Sequence, residues 1–296
     1  MGTICFETKQ PIKPQSSGHR IISKPNNTNT TSGLENYSEA PVCNNSSSGY
    51  NSYIIAEIEI GYDLVNKDIR IINSYESFER SREKTTFDEN LRNEIEIRKC
   101  KIFIEGNLIP FSYVHKFDKA GTFTIKYCFQ NNIKSLYGLF FVCDYLKTLN
   151  FSNFNSNDAI STEYMFFCCR LLRKLNLTNF NTKNVTNMQY MFCECYSLIK
   201  LNLTNFNTDN VTDMQYMFNC CISIKELNLS SFNTNNVTSM EYMFYNCLSL
   251  TDLDLSNFKT QKNTKLEEMF VNCNLLTKSL LICYDEKILK AASSLI

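Results

Sequence analysis

Fourteen cysteines and two histidines are the residues in this 296-residue chain whose types first suggest chemistry. Six cysteines stand on one ruler: Cys143, Cys169, Cys195, Cys221, Cys247 and Cys273 recur every 26 residues, and Cys168, Cys193 and Cys220 thicken the column. Such a column could be a disulfide ladder, a metal site or packing. Equivalent positions in stacked repeats run side by side rather than converging, which disfavours bridges. No histidine lies nearby to complete a zinc set, and buried free cysteine behaves as a small hydrophobe. Packing is the expectation, with no metal or other cofactor. His115 falls in an alternating stretch from Tyr113 to Phe117 and reads as a sheet residue rather than a base. No GxSxG, P-loop, HExxH or GxGxxG motif occurs, so no enzyme is expected.

The elements that would position these residues follow the same period. Met-Phe recurs at 165–166, 191–192, 217–218, 243–244 and 269–270, with Leu139-Phe140 as a worn copy. A Phe column runs through Phe154, Phe180, Phe206, Phe232 and Phe258. Within one unit, Leu198 to Leu203 reads as a short strand with Leu201 and Leu203 inward and Lys200, Asn202 and Thr204 outward. Phe206 plugs the turn that follows. Met214, Met217, Phe218 and Cys221 have helical spacing, so a helical turn is expected over Asp213–Cys221. A lone unit cannot bury its apolar columns, whereas stacked units can. The expected fold is an α/β repeat solenoid: a right-handed leucine-rich-repeat array with one parallel sheet and short helical turns, preceded by a small all-β domain.

The segments LTDLDLSNFKTQKNT (250–264) and LNLTNFNTDNVTDMQYMFNC (201–220) resemble the repeat unit of the BspA-type leucine-rich-repeat surface-protein family. That resemblance covers about half the chain. It implies an interaction or adhesion module rather than an activity.

The flanks divide the remainder. Residues 1–51 are rich in Ser, Asn and Thr and read as a tail that cannot bury enough apolar surface to order itself. Residues 52–132 alternate with period two at Ile54–Ile60, Ile95–Ile97 and Phe123–Phe129, and read as a small β-sandwich-like domain with a helical excursion over 76–93. Residues 133–282 form five to six coils, and 283–296 a C-terminal capping helix.

Lys plus Arg and Asp plus Glu each total 30, so the basic footprint of a nucleic-acid binder is lacking. No apolar run approaches the ~18 residues of a membrane span. The start, Met1 to Glu7, has neither a basic nor an apolar signal region, which points to the cytoplasm; a cell-surface or secreted protein exported by another route is the alternative. Gly2 and Cys5 form part of a dual-acylation pattern, with Phe6 where Ser or Thr is wanted, and one anchor alone binds membranes marginally. Pro11 to Pro14 has the PxxP form common in unstructured tails. Sequons such as Asn202-Leu-Thr and Asn210-Val-Thr follow from the repeat, and the Thr columns suit turn chemistry better than an ice- or glycan-binding array.

Function is therefore expected in the outward strand positions. One column varies as Thr148, Lys174, Lys200, Glu226 and Asp252, beside Lys147 and Arg173, while Asn202 and Asp254 belong to a nearly constant neighbour. Lys147, Arg173, Lys174, Lys200, Asn202, Glu226, Asp252 and Asp254 form the candidate ligand face of a non-catalytic protein-binding module, or of a surface adhesin for host or matrix ligands.

Overall fold

The computed structural model describes residues 52–82 and 87–295; the expected tail, with Gly2, Cys5 and Pro11 to Pro14, lies outside the described residues. Sheet predominates and helices are few. The strands are β1 (Ser52–Ile60), β2 (Asp68–Arg70), β3 (Lys101–Ile104), β4 (Asn107–Ile109), β5 (Val114–Lys116), β6 (Gly121–Phe129), β7 (Leu146–Asn150), β8 (Lys174–Asn176), β9 (Glu226–Asn228), β10 (Asp252–Asp254) and β11 (Leu281–Ile282). The helices are α1 (Tyr75–Ser81), α2 (Glu94–Arg98) and α3 (Glu286–Ala291).

Period-two alternation makes β1: Ile54, Ala56, Ile58 and Ile60 are buried while Glu57 and Glu59 face outward. It pairs antiparallel with β6 along its whole length, Ser52 opposite Phe129 and Ile60 opposite Gly121. On its other edge β1 pairs antiparallel with β7, and β7 pairs parallel with β8. The result is one mixed sheet in the order β4-β3-β6-β1-β7-β8. Residues 52–132, expected as a sandwich of their own, thus share a sheet and a hydrophobic core with the first repeats. Alternation identifies the buried face of β1 but carries no information about which strand borders its edge.

Three local expectations change. First, the parallel strands form two blocks rather than one sheet: β7 and β8 extend the mixed sheet, and β9, β10 and β11 stand apart, with Leu198–Leu203 in irregular backbone between them. Strands of three residues offer very few ladder bonds, so they pair weakly. Second, Ile95 and Ile97 lie in α2, not in a strand; Ile97 is buried and Ile95 is 66% exposed. Five residues are too few to separate the two periods, and the Glu94–Arg98 ion pair at 2.8 Å supports the helix. Of the expected helical excursion over 76–93, helix α1 covers only the first part (Tyr75–Ser81), its start capped by Ser74 accepting from the Ser77 amide at 3.1 Å, and residues 87–93 are turn and irregular backbone.

Third, the helical turn over Asp213–Cys221 is a chain of tight turns. Tyr216 and Cys220 have φ of 56° and 58°, and every repeat has such a pair four residues apart, from Gly138 and Val142 to Glu268 and Asn272. A left-handed residue terminates an α-helix, so amides at alternate positions are released from helical bonding. They bond the following repeat instead: Met214 to Ser239, Tyr216 to Glu241, Phe218 to Met243 and Cys220 to Tyr245, at 2.8–3.0 Å. The same four bonds recur at each junction from Leu136 to Val271.

This ladder brings the columns into register. Phe166, Phe192, Phe218, Phe244 and Phe270 stack at 5.5–5.8 Å. Tyr164, Tyr190, Tyr216 and Tyr242 stack at 4.5–4.6 Å, within 6° of parallel. The column cysteines are buried free thiols. From Cys169 to Cys273, each donates to the Phe carbonyl of the preceding repeat at 3.0–3.3 Å.

Side chains stand in for a missing repeat at the start of this ladder and at the end of the neighbouring Thr column, where Thr182, Thr208 and Thr234 hydroxyls donate to the next repeat's carbonyls. At the first repeat, Asn93 Nδ2 donates to the carbonyls of Ser135 and Tyr137, each at 3.0 Å. Asn73 serves the next two, its backbone amide donating to Leu139 at 2.8 Å and its Nδ2 to Phe141 at 3.4 Å. Near the last repeat, the Asp285 carboxylate accepts from the Thr260 amide and hydroxyl and caps α3 through the Lys287 and Ile288 amides. Partial burial pushes this carboxyl up, but those hydrogen bonds outweigh it and hold its pKa below the ordinary value. A carboxylate depressed in the folded state adds stability above its unfolded pKa of ~3.9, and that stability is lost as pH falls through the folded value. Asp285→Ala should therefore cost about 1–2 kcal/mol at pH 7 and progressively less below about pH 4. Urea titrations at the two pH values check this; an equal loss at both would remove the carboxylate charge from the account.

Candidate functional site

The outward strand positions meet where neighbouring repeats are in register. Thr148 of β7 lies opposite Lys174 of β8, and Glu226 of β9 opposite Asp252 of β10. Arg173, Lys174, Lys200, Asn202, Glu226 and Asp252 are exposed, whereas Lys147 and Asp254 are half-buried. The structure thus brings Glu226 and Asp252 together as an acidic pair. Lys174 and Lys200 occupy equivalent places in successive repeats, with Lys200 in irregular backbone rather than a strand.

Two members of the face have a local job. Asn202 Oδ1 accepts from the Thr204 amide at 3.1 Å and hydroxyl at 2.8 Å, and Asp254 Oδ1 accepts from the Ser256 amide at 2.9 Å. Asn176 and Asn228 do the same for Thr178 and Ser230. The constant column therefore shapes turns.

Sequence reasoning missed the acidic flank. β1 lies beside β7, so Glu57 accepts from the Thr148 hydroxyl at 3.1 Å and Glu59 forms an ion pair with Lys147. Charge along the face therefore runs acidic, basic, acidic. The outward alternation of Glu57 and Glu59 was the available signal; their partner strand was not.

A second cluster ties three repeats together. Arg170 donates to Asp144 at 3.2 Å and to Glu194 at 2.8 Å, and lies 5.6 Å from the Tyr196 ring centroid. Cys168 donates to Glu194 at 3.2 Å. Burial, aided by the nearby Glu194 carboxylate, pushes the Cys168 thiol up, which keeps it protonated and poorly nucleophilic. Burial also raises Asp144 against the pull of Arg170. This arrangement binds repeats to one another and presents no activated nucleophile.

His115 lies in β5, edge-on to Phe117 at 4.7 Å, and partial burial lowers its pKa. Among the described residues no group of three His, Cys, Asp or Glu side chains is placed to hold a metal, and no helix is long and apolar enough to cross a membrane.

Fold and columns together define a class: a β-rich protein of tandem 26-residue repeats with an outward face of varying charge. The chain belongs to the family described as Mycoplasma protein of unknown function, DUF285, which matches residues 113–202 and 160–282. The two matches overlap over 160–202, within the repeats. No curated protein and no solved structure matches the chain.

Proposed function

We propose that this protein is a non-catalytic protein-binding module: a right-handed leucine-rich-repeat solenoid of the BspA type whose strand face receives a protein ligand. The observation that carries the reading is variation at fixed outward positions, from Thr148 through Lys174, Lys200 and Glu226 to Asp252, above buried columns that barely change. A repeat scaffold becomes specific in this way without disturbing its core. Buried free thiols suit a reducing compartment, and we place the protein in the cytoplasm on that ground.

Lys174 and Lys200 are exposed, so reversing both to Glu should leave the melting midpoint nearly unchanged. Association with the ligand should slow, and its salt dependence should fall. Affinity capture with the full chain, wild type against Lys174→Glu/Lys200→Glu, followed by binding kinetics on the captured protein, tests this. A ligand retained equally by both forms would move the binding surface elsewhere. Surface biotinylation of intact cells, expected to leave the protein unlabelled, tests the compartment.

A further inference from the structure

The inter-repeat ladder has a direction. In each repeat the four amides at alternate positions point to the following repeat, and the carbonyls that pair with them point to the preceding one. At the first repeat those carbonyls are occupied by Asn73 and Asn93. At the last, Leu266, Glu268, Phe270 and Asn272 hold the donor positions, and among the described residues none supplies them an acceptor. Glu268 and Asn272 are exposed. An aligned row of unpaired amides carries partial positive charge, as at a helix N-terminus or a backbone nest. Beside it lies a cleft lined by Lys262, Lys265, Lys287, Lys290 and Glu267. Lys265 also pairs with Glu241 at 3.7 Å and Lys287 donates to the Lys262 and Thr264 carbonyls, so Lys262 and Lys290 carry the charge offered to a ligand.

The same geometry selects the occupant. A second copy related by a two-fold axis would oppose amide to amide. A copy added head to tail needs the carbonyls of the first repeat, which the two asparagines already engage. An extended peptide offers a carbonyl, with its own amide beside it, at every second residue along one edge. The carbonyls match the spacing of the open donors, the amides face solvent, and the lysine-lined cleft favours acidic side chains. We propose that the open amide edge of the last repeat, together with this cleft, binds an extended acidic peptide by adding it to the ladder. This surface is separate from the strand face, so each proposal stands or fails alone.

The test uses the full chain and a fluorescein-labelled peptide, Val-Glu-Val-Glu-Val-Glu-Val, with its lysine counterpart as control, read by anisotropy and by residue-resolved amide exchange. The acidic peptide should bind and the basic one should not. The Glu268 and Asn272 amides should exchange freely in the unliganded protein and slow at least about tenfold on binding, while Tyr242 and Asn246 stay protected throughout. Lys262→Glu/Lys290→Glu should weaken binding at least about tenfold without moving the melting midpoint. Absence of binding, equal binding of the basic peptide, or protection of Glu268 and Asn272 in dilute unliganded protein would overturn the proposal. So would protection that grows with protein concentration alone, which would assign the edge to a second copy.

Discussion

Phe206→Ala is expected to lower the unfolding free energy by about 3–5 kcal/mol, a large part of the ~5–15 kcal/mol typical of a folded domain. Phe206 is 3% exposed and stacks between Phe180 at 5.9 Å and Phe232 at 6.3 Å. Both neighbours sit in repeats fixed by backbone bonds on the far side of the core, so they cannot close over the void. The cavity term therefore adds in full to the lost burial. Because repeats interact mainly with their neighbours, weakening one junction loosens the repeats beyond it. Phe258 provides the internal comparison: among the described residues it stacks on one ring, Phe232 at 6.3 Å, and Phe258→Ala should cost less. Urea denaturation of both variants checks the pair; a change within about 0.5 kcal/mol for Phe206→Ala would contradict its place in the core.

What was legible in the sequence was whatever repeats. The Phe, Met and Cys columns stand buried and in register because any position that recurs every 26 residues has an identical neighbour on each side. The alternation of Ile54 to Ile60 was equally plain, since one face of β1 meets the core along its whole length. Legibility failed where two patterns share a spacing. Met214, Met217, Phe218 and Cys221 satisfy the helical spacing, yet positive φ at Tyr216 and Cys220 turns the backbone away from a helix with the same residues inward. Nothing in a tyrosine or a cysteine announces a left-handed conformation, which is imposed here by the bonds made to the next repeat. The candidate face shows the same division. Its varying column was readable, whereas the carboxylates of Glu57 and Glu59 reach it through the pairing of β1 with β7 across ninety-odd residues of chain. The caps were invisible for a related reason: Asn73 and Asn93 each occur once, outside the period, and their roles exist only in three dimensions.

The second large effect concerns one of those caps. Asn93→Leu is expected to destabilise the protein by about 3–6 kcal/mol. Asn93 is 1% exposed, and its side chain makes three bonds that a leucine cannot: Nδ2 to the carbonyls of Ser135 and Tyr137, and Oδ1 from the Tyr75 amide at 2.8 Å. Leucine fills similar space, so little of the loss is cavity. The cost lies in leaving two carbonyls and one amide buried without partners, each worth about 1–3 kcal/mol, lessened where water can reach them. Asn93→Asp sharpens the assignment, because it keeps the acceptor for Tyr75 but sets an oxygen against two carbonyls. Below its raised pKa the carboxyl is protonated and can donate to one of them; above it, charge and lone pairs both repel. The aspartate variant should therefore be more stable at pH 5 than at pH 8 relative to wild type, whereas the leucine variant should show the same deficit at both. Amide exchange should place the loosening at the first junction, with Leu136 and Phe140 losing protection before Met240 and Phe244. If Asn93→Leu were neutral, the first repeat's carbonyls would have to be satisfied by solvent, and α1 and α2 would pack on the ladder without closing it.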